Sequence, residues 1–129
     1  MRVAVILPAA GLGQRYSEAV TRGGGGGAAG VNKLEVDLAG KPVVLRAIEL
    51  FLGRKDVAQV VVAVAPDGVA EFRLRHGERL AFHGVEVVPG GERERWETVM
   101  RALDAVRDEA THVAVHDAAR PLASQRLID

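Results

Sequence analysis

Residues 3–15 read VAVILPAAGLGQR, and this stretch decides the fold. Its first part, from Val3 to Leu7, is a continuous apolar run rich in β-branched side chains, which is typical of a strand buried on both faces of a parallel sheet. Pro8 and a loop of small residues follow, and small residues let backbone N–H groups approach a phosphate or a base closely. The stretch therefore indicates a buried strand that ends in a tight loop, and that loop either binds a ligand or is merely a turn.

Strand-like and helix-like segments alternate along the rest of the chain. Their periodicity predicts strands at residues 34–38, 59–65, 85–88 and 112–116, and helices at 69–75, with an Arg-rich outer face, and at 96–106. Another helix is expected to carry Pro42 in its first turn. We expect apolar faces formed by Val44, Leu45, Ile48, Phe51 and Leu52 on the Pro42 helix and by Val99, Leu103 and Val106 on the helix at 96–106.

This alternation predicts an α/β fold with a Rossmann-like, mainly parallel, twisted sheet and helices on both of its faces. Right-handed crossovers place the loops that follow the strands at one edge of the sheet, where open α/β sheets bind ligands. Residues 8–15, 89–95 and 117–121 are expected to meet at that edge. The chain is interpreted as a single domain, residues 1–129, in which the Gly-rich residues 22–32 form a flexible loop insertion.

The composition argues against several classes of function. The 129 residues are 48% hydrophobic and 26% charged, which is typical of a folded globular domain. Lys plus Arg and Asp plus Glu each number 17, so no net field attracts a nucleic acid polymer or a membrane surface. The absence of cysteine excludes a disulfide framework and a thiolate metal site. No apolar run approaches the roughly 20 residues of a membrane helix, and we expect a cytoplasmic protein.

The first loop fits neither of the two common phosphate-binding motifs. Tyr16 stands where the third glycine of G-x-G-x-x-G belongs, and no Gly-Lys-Ser/Thr follows as in a P-loop. Arg15 and Lys33 are nevertheless cations of the kind that oppose the charge developed in phosphoryl transfer. Either residue is alternatively a solvated surface charge.

Asp117 follows the predicted strand at 112–116. A carboxylate in this place can hold Mg²⁺ together with substrate phosphates. The alternative is that Asp117 caps its loop or pairs with Arg120. The four histidines show no metal-binding spacing, so we do not expect a zinc site.

Two stretches of the chain resemble signatures of a known enzyme family. Residues 8–15, PAAGLGQR, are similar to the loop shared by sugar-nucleotide and cytidylyl transferases. Residues 115–121, VHDAARP, resemble the hallmark of the 2-C-methyl-D-erythritol 4-phosphate cytidylyltransferases. Residues 40–42 and 90–99 follow in the family's order, so the resemblance covers essentially the whole chain. It implies a fold of the nucleotide-diphospho-sugar transferase type and an enzyme that joins CTP to 2-C-methyl-D-erythritol 4-phosphate, with release of pyrophosphate, in isoprenoid precursor biosynthesis.

The resemblance also implies roles for individual residues. Arg15 and Lys33 would be the catalytic cations that stabilise the α-phosphate of CTP during attack, and Asp117 would face Mg²⁺. The residues implied to surround the nucleotide are Ala9, Ala10, Gly11, Gly91, Thr98, Ala118 and Arg120. The attacking phosphate is already anionic, so catalysis would consist of positioning and charge neutralisation.

The chain departs from the family's pattern in several places. Asn32 stands where a proline usually precedes the lysine, residues 22–32 lengthen the first loop, and Thr98 replaces the commoner serine while keeping the hydroxyl. Family members continue past residue 129 with the acceptor site and a dimerisation arm. We therefore interpret the chain as the CTP-binding part, from which the C-terminal part is absent, and leave a homodimer as an option for a full-length form.

Two alternatives remain open on the sequence. One is another nucleotidyltransferase of the same fold, such as a ribitol phosphate cytidylyltransferase or a sugar-phosphate pyrophosphorylase. The other is a non-catalytic CTP-binding fragment. A fold shared by many activities does not by itself decide between them.

Overall fold

The computed structural model describes residues 1–10, 35, 37–38 and 40–118 of the chain. The strands are β1 (Val3–Pro8), β2 (Asp37–Leu38), β3 (Lys41–Pro42), β4 (Val57–Val64), β5 (Val85–Pro89) and β6 (His112–Val115). The helices are α1 (Val43–Glu49), α2 (Val69–Phe82) and α3 (Arg95–Leu103), with a short 3₁₀ helix at Pro66–Gly68. The predicted insertion at residues 22–32 lies outside the described residues.

The main sheet contains four strands in the order β5-β4-β1-β6, and every pairing between them is parallel. β1 lies between two neighbours, and its inner residues from Ala4 to Leu7 are buried on both faces. β2 and β3 form a separate antiparallel pair. The predicted parallel α/β sheet is therefore confirmed, as is the prediction that the first apolar run is a buried strand.

Alternate residues of the sheet pack into two apolar clusters, one on each face. Val5 and Leu7 belong to a cluster that includes the inner faces of α1 and α2. Ile6 belongs to the opposite cluster, which includes Ala102 of α3. Because successive side chains of a strand point to opposite faces, both faces of an apolar strand need a cover. Helices on both faces were predicted, and the two clusters confirm them.

The prediction that Pro42 lies in the first turn of a helix is wrong by one residue. Pro42 has an extended backbone (φ −56°, ψ 145°), pairs with Asp37 in the β2–β3 ladder, and immediately precedes α1. α1 ends at Glu49, so Phe51 and Leu52 lie in the turn after the helix. Phe51 is nevertheless buried in the same cluster as the inner face of α1.

The apolar face predicted for α3 is only partly correct, although Val106 does pack against the cluster that includes Ala102. The buried residues of this helix are Thr98 and Ala102, whereas Leu103 is 37% exposed and Val106 lies beyond the helix end. Thr98 and Ala102 are four residues apart and therefore share one face. Their small side chains let α3 lie close to the sheet, and larger residues are displaced to its flanks.

α2 is longer than predicted, and the backbone adopts a left-handed conformation shortly after the helix ends. The described helix runs to Phe82, and its arginines at 73, 75 and 79 are exposed, as the Arg-rich outer face predicted. Gly84, two residues after the helix, has φ 74°, a left-handed conformation that glycine adopts at helix ends without steric cost. No helix in the described part of the chain is long and apolar enough to cross a membrane.

Two glycines of this region should respond to alanine in opposite directions. Gly77 lies inside α2, where an added Cβ meets only the Arg73 side chain at 3.7 Å. Gly77→Ala should therefore raise the free energy of unfolding by roughly 0.5–1 kcal/mol through helix propensity. Gly84→Ala should lower it by about 1–2 kcal/mol because L-residues are strained at positive φ. Chemical denaturation of both variants tests this, and changes of the same sign would contradict the described helix end.

Candidate functional site

Three segments leave the carboxyl edge of the sheet, one after each of β1, β5 and β6. The backbone N–H of Ala9, just after β1, donates to the Ala63 carbonyl at 2.7 Å, and that of Gly90, just after β5, donates to the Val64 carbonyl at 2.6 Å. The N–H of His116, just after β6, donates to the Ile6 carbonyl at 2.9 Å. Each bond extends the ladder one step beyond the strand. The described parts of the three loops therefore meet at one edge, as predicted.

The loop after β5 is packed so closely that its two glycines have no room for a side chain. A Cβ added to Gly90 would lie 2.8 Å from Thr98 Cγ2 and 3.0 Å from Ala10 Cβ. A Cβ added to Gly91 would lie 2.2 Å from the Cβ of Glu97. The glycines bring this loop against both the Ala10 segment and the first turn of α3. Gly90 was not among the predicted site residues, although the Gly-Gly pair was the available signal.

Thr98 connects α3 to this loop. Its side chain is 1% exposed, and its Oγ1 accepts a hydrogen bond from the Gly91 N–H at 3.1 Å. A capping box fixes the first turn of the helix, in which the Glu94 N–H donates to Glu97 Oε1 at 3.0 Å. The predicted Thr98 hydroxyl therefore holds the Gly91 backbone, and its contact with a nucleotide stays a prediction.

The segment after β6 is anchored on both sides of Asp117. Ala118 is fully buried in the same apolar cluster as Ala9. The His116 ring meets the Phe51 ring edge-on, with centroids 5.1 Å apart. The half-buried Asp117 lies between these two residues. The contacts of His116 and Ala118 therefore hold the Asp117 backbone at the carboxyl end of β6.

The structure brings six of the predicted residues to this edge: Ala9, Ala10, Gly91, Thr98, Asp117 and Ala118. Gly11, Arg15, Lys33 and Arg120 lie outside the described residues. Of the six residues at this edge, five are small and uncharged, and the sixth, Asp117, carries a carboxylate. Such an edge suits close approach of a ligand to the backbone.

Asp117 provides the donor chemistry that a nucleotide-bound Mg²⁺ needs. Among residues 1–10, 35, 37–38 and 40–118, no group of three or more His, Cys, Asp or Glu side chains is arranged to hold a metal ion. Mg²⁺ commonly takes one or two carboxylates and completes its shell with phosphates and water. The Asp117 carboxylate therefore fits a metal that arrives with a triphosphate.

Comparisons with known proteins identify the family of the chain. The sequence model of the 2-C-methyl-D-erythritol 4-phosphate cytidylyltransferase family (IspD) matches residues 3–129. The enzyme of that name from Frankia casuarinae is 41% identical over 131 residues, a match that covers 99% of this chain and 42% of that protein. The corresponding enzyme from Rhodopirellula baltica is 37% identical, with 98% of this chain and 52% of that protein covered.

A solved structure shows the same fold. The 4-diphosphocytidyl-2C-methyl-D-erythritol synthase of Anaerococcus prevotii superposes with a TM-score of 0.71 at 19% identity, covering 98% of this chain and 48% of that one. The chain spans about half the length of the curated relatives it matches.

The close packing at Gly90 can be tested by a mutant cycle. Gly90→Ala should lower the free energy of unfolding by about 1–3 kcal/mol, because the new methyl overpacks Thr98 and Ala10. In a Thr98→Ser background the nearest atom, Cγ2, is gone, so the same substitution should cost less. Gly68→Ala is the control, since a Cβ there meets nothing within 4 Å. Equal costs of Gly90→Ala in the two backgrounds, measured by chemical denaturation, would disprove the contact.

Proposed function

The chain belongs to the 2-C-methyl-D-erythritol 4-phosphate cytidylyltransferase family, and from this premise we propose that it is the nucleotide-binding part of an enzyme that transfers a cytidylyl group from CTP to 2-C-methyl-D-erythritol 4-phosphate. In this reaction a phosphate oxygen of the acceptor attacks the α-phosphorus of CTP, and pyrophosphate leaves with the electrons of the broken P–O bond. The observation that carries the proposal is the meeting of the Ala10, Gly90–Gly91 and Asp117 segments at one edge.

The nucleotide is proposed to bind against backbone rather than against large side chains. Ala9, Ala10 and Gly11 would face the base and ribose from one side, and Gly91, held by Thr98, would face them from the other. Ala118 and Arg120 would complete the lining beside β6. The alanines and glycines of this lining would leave space for a pyrimidine and expose N–H and carbonyl groups to its polar edge.

Three side chains are proposed to offset the negative charge of the reacting phosphates. Two of them act directly, and the third acts by holding a metal ion. Arg15 and Lys33 would oppose the negative charge that grows on the α-phosphate as the new bond forms. Asp117 would hold Mg²⁺, which when bound neutralises part of the triphosphate charge. The acceptor phosphate is already a nucleophile, so these residues act by position and charge and no general base is required.

The domain organisation, the small-molecule partners and the location of the chain are proposed as well. We propose one domain over residues 1–129, with CTP and a sugar-alcohol phosphate as small-molecule partners in the cytoplasm. A homodimer is proposed only for a full-length form. The family assignment favours cytidylyl transfer to 2-C-methyl-D-erythritol 4-phosphate over the reactions of other nucleotidyltransferases of this fold.

The chain should bind CTP with Mg²⁺ more tightly than ATP or GTP, because a purine would overlap the closely packed Ala10 and Gly90 segments. Calorimetric titration with each nucleoside triphosphate tests this preference. Ala10→Leu should weaken CTP binding by about tenfold or more, equivalent to 1.4 kcal/mol. Ala70→Leu, on the exposed face of α2, is the matched control and should leave CTP affinity unchanged. Equal or tighter binding of a purine nucleotide would rule out the cytidylyl assignment.

In an active form of the protein, Lys33→Ala should lower kcat by on the order of 10²–10³ while CTP binding changes little, because the cation acts mainly on charge that develops in the transition state. Lys55→Ala is the matched control, since Lys55 is an exposed lysine in the turn before β4. Steady-state kinetics, with a thermal melt to verify folding, separates the two cases. A folded Lys33→Ala enzyme with parental kcat would remove Lys33 from the site.

A further inference from the structure

Asp117 follows an edge strand of the sheet. Within the part of the chain that the structure describes, β6 is the last strand in the order β5-β4-β1-β6 and pairs with β1 alone. All four of its side chains are exposed, so their burial contributes little to holding the strand in place. The position of Asp117 therefore depends strongly on the contacts made at the two ends of β6.

The amino end of β6 is fixed by hydrogen bonds to the segment before β1. The N–H groups of Thr111 and His112 donate to the Arg2 carbonyl at 2.8 Å and 3.2 Å. The Arg2 N–H donates to Thr111 Oγ1 at 2.9 Å. These bonds lie at the end of the strand that is farther from Asp117, so the carboxyl end must be held by other contacts.

The carboxyl end of β6 is held by His116. Its N–H donates to the Ile6 carbonyl at 2.9 Å and so continues the ladder beyond the strand. Its ring meets the Phe51 ring edge-on, with centroids 5.1 Å apart and the ring planes at 68°, an arrangement that aromatic rings favour. Phe51 is 5% exposed and belongs to the apolar cluster that includes the inner faces of α1 and α2. The His116 ring therefore connects this end of β6 to the core.

Asp117 is covalently joined to this anchor. The Cα atoms of neighbouring residues are 3.8 Å apart across a trans peptide, so a shift of His116 moves the Asp117 backbone with it. On the other side, Ala118 is fully buried in the cluster that also includes Phe51. A methyl group gives little directional restraint, whereas an edge-on pair of rings has a preferred distance and orientation. The contact between His116 and Phe51 is thus well suited to define where Asp117 lies.

We propose that His116 is a positioning residue for the metal-bound nucleotide: its ring, packed against Phe51, fixes the carboxyl end of β6 and so places the Asp117 carboxylate where it meets the Mg²⁺ of CTP. This inference rests on the proposed function, from which it takes the role of Asp117. Removal of a residue that orients a metal ligand typically lowers metal affinity by about 10–100-fold. His116 acts through its packing, so position 116 requires an aromatic ring but not an imidazole.

The test is calorimetric titration of CTP into the chain, once with Mg²⁺ and once with EDTA in its place. In the parental chain Mg²⁺ should tighten CTP binding. His116→Ala should weaken CTP binding with Mg²⁺ by about tenfold and leave the affinity in EDTA nearly unchanged. His116→Phe keeps a ring that can meet Phe51 edge-on and should recover most of the Mg²⁺ effect. His112→Ala changes the same residue type at the exposed amino end of β6, and this matched control should bind CTP as the parental chain does.

A mutant cycle with Asp117→Asn separates positioning from a general loss of structure. If His116 acts through Asp117, His116→Ala causes no further loss of CTP affinity with Mg²⁺ in the Asp117→Asn background. Three results would each overturn the inference and leave the proposed function standing: parental affinity in His116→Ala, an equal loss in both backgrounds, or no recovery in His116→Phe.

The Mg²⁺ effect itself tests the premise. If this effect is absent from the parental chain or survives Asp117→Asn, the proposed role of Asp117 is overturned and the inference with it. Thermal melts of every variant verify folding. If His116→Ala is unfolded, His116→Leu takes its place in the cycle, because it keeps apolar volume against Phe51 but has no ring, and it must show the same loss confined to the Mg²⁺ titration.

Discussion

The central constraint on this structure is the burial of β1 on both faces. Its backbone pairs with β4 on one side and β6 on the other, and its apolar side chains point alternately into two clusters. A strand of this kind can be covered only by helices on both sides of a parallel sheet. Parallel pairing in turn needs crossovers, and these deliver every post-strand loop to the same edge. The site exists where it does because β1 is apolar throughout.

At that edge, small residues and charged residues have different proposed roles. Alanine and glycine allow Ala10, Gly90 and Thr98 to lie within contact distance of one another, which brings backbone donors and acceptors close to a ligand. Neither alanine nor glycine carries a charged side chain. The charge that phosphoryl transfer requires is therefore proposed to come from Arg15, Lys33 and a metal held by Asp117. A backbone lining is suited to binding a base, and cationic groups are suited to opposing the charge that develops in the transition state.

Local sequence patterns predicted the sheet, the order of its elements and the meeting of the loops, because buried strands and small-residue turns are marked by neighbouring residues. They failed where a tertiary contact decided the outcome. The inner face of α3 is formed by Thr98 and Ala102 because small side chains permit close approach to the sheet, whereas periodicity favoured larger residues such as Leu103. The pairing of Glu35 with His76 spans 41 residues, and nothing near either residue indicates the other.

The Glu35–His76 hydrogen bonds show how one contact can specify the arrangement of two distant parts of the chain. Any shift of Glu35 would leave its carboxylate without this partner in a poorly solvated place, which is costly. An apolar contact in the same place would tolerate sliding, since dispersion is not directional.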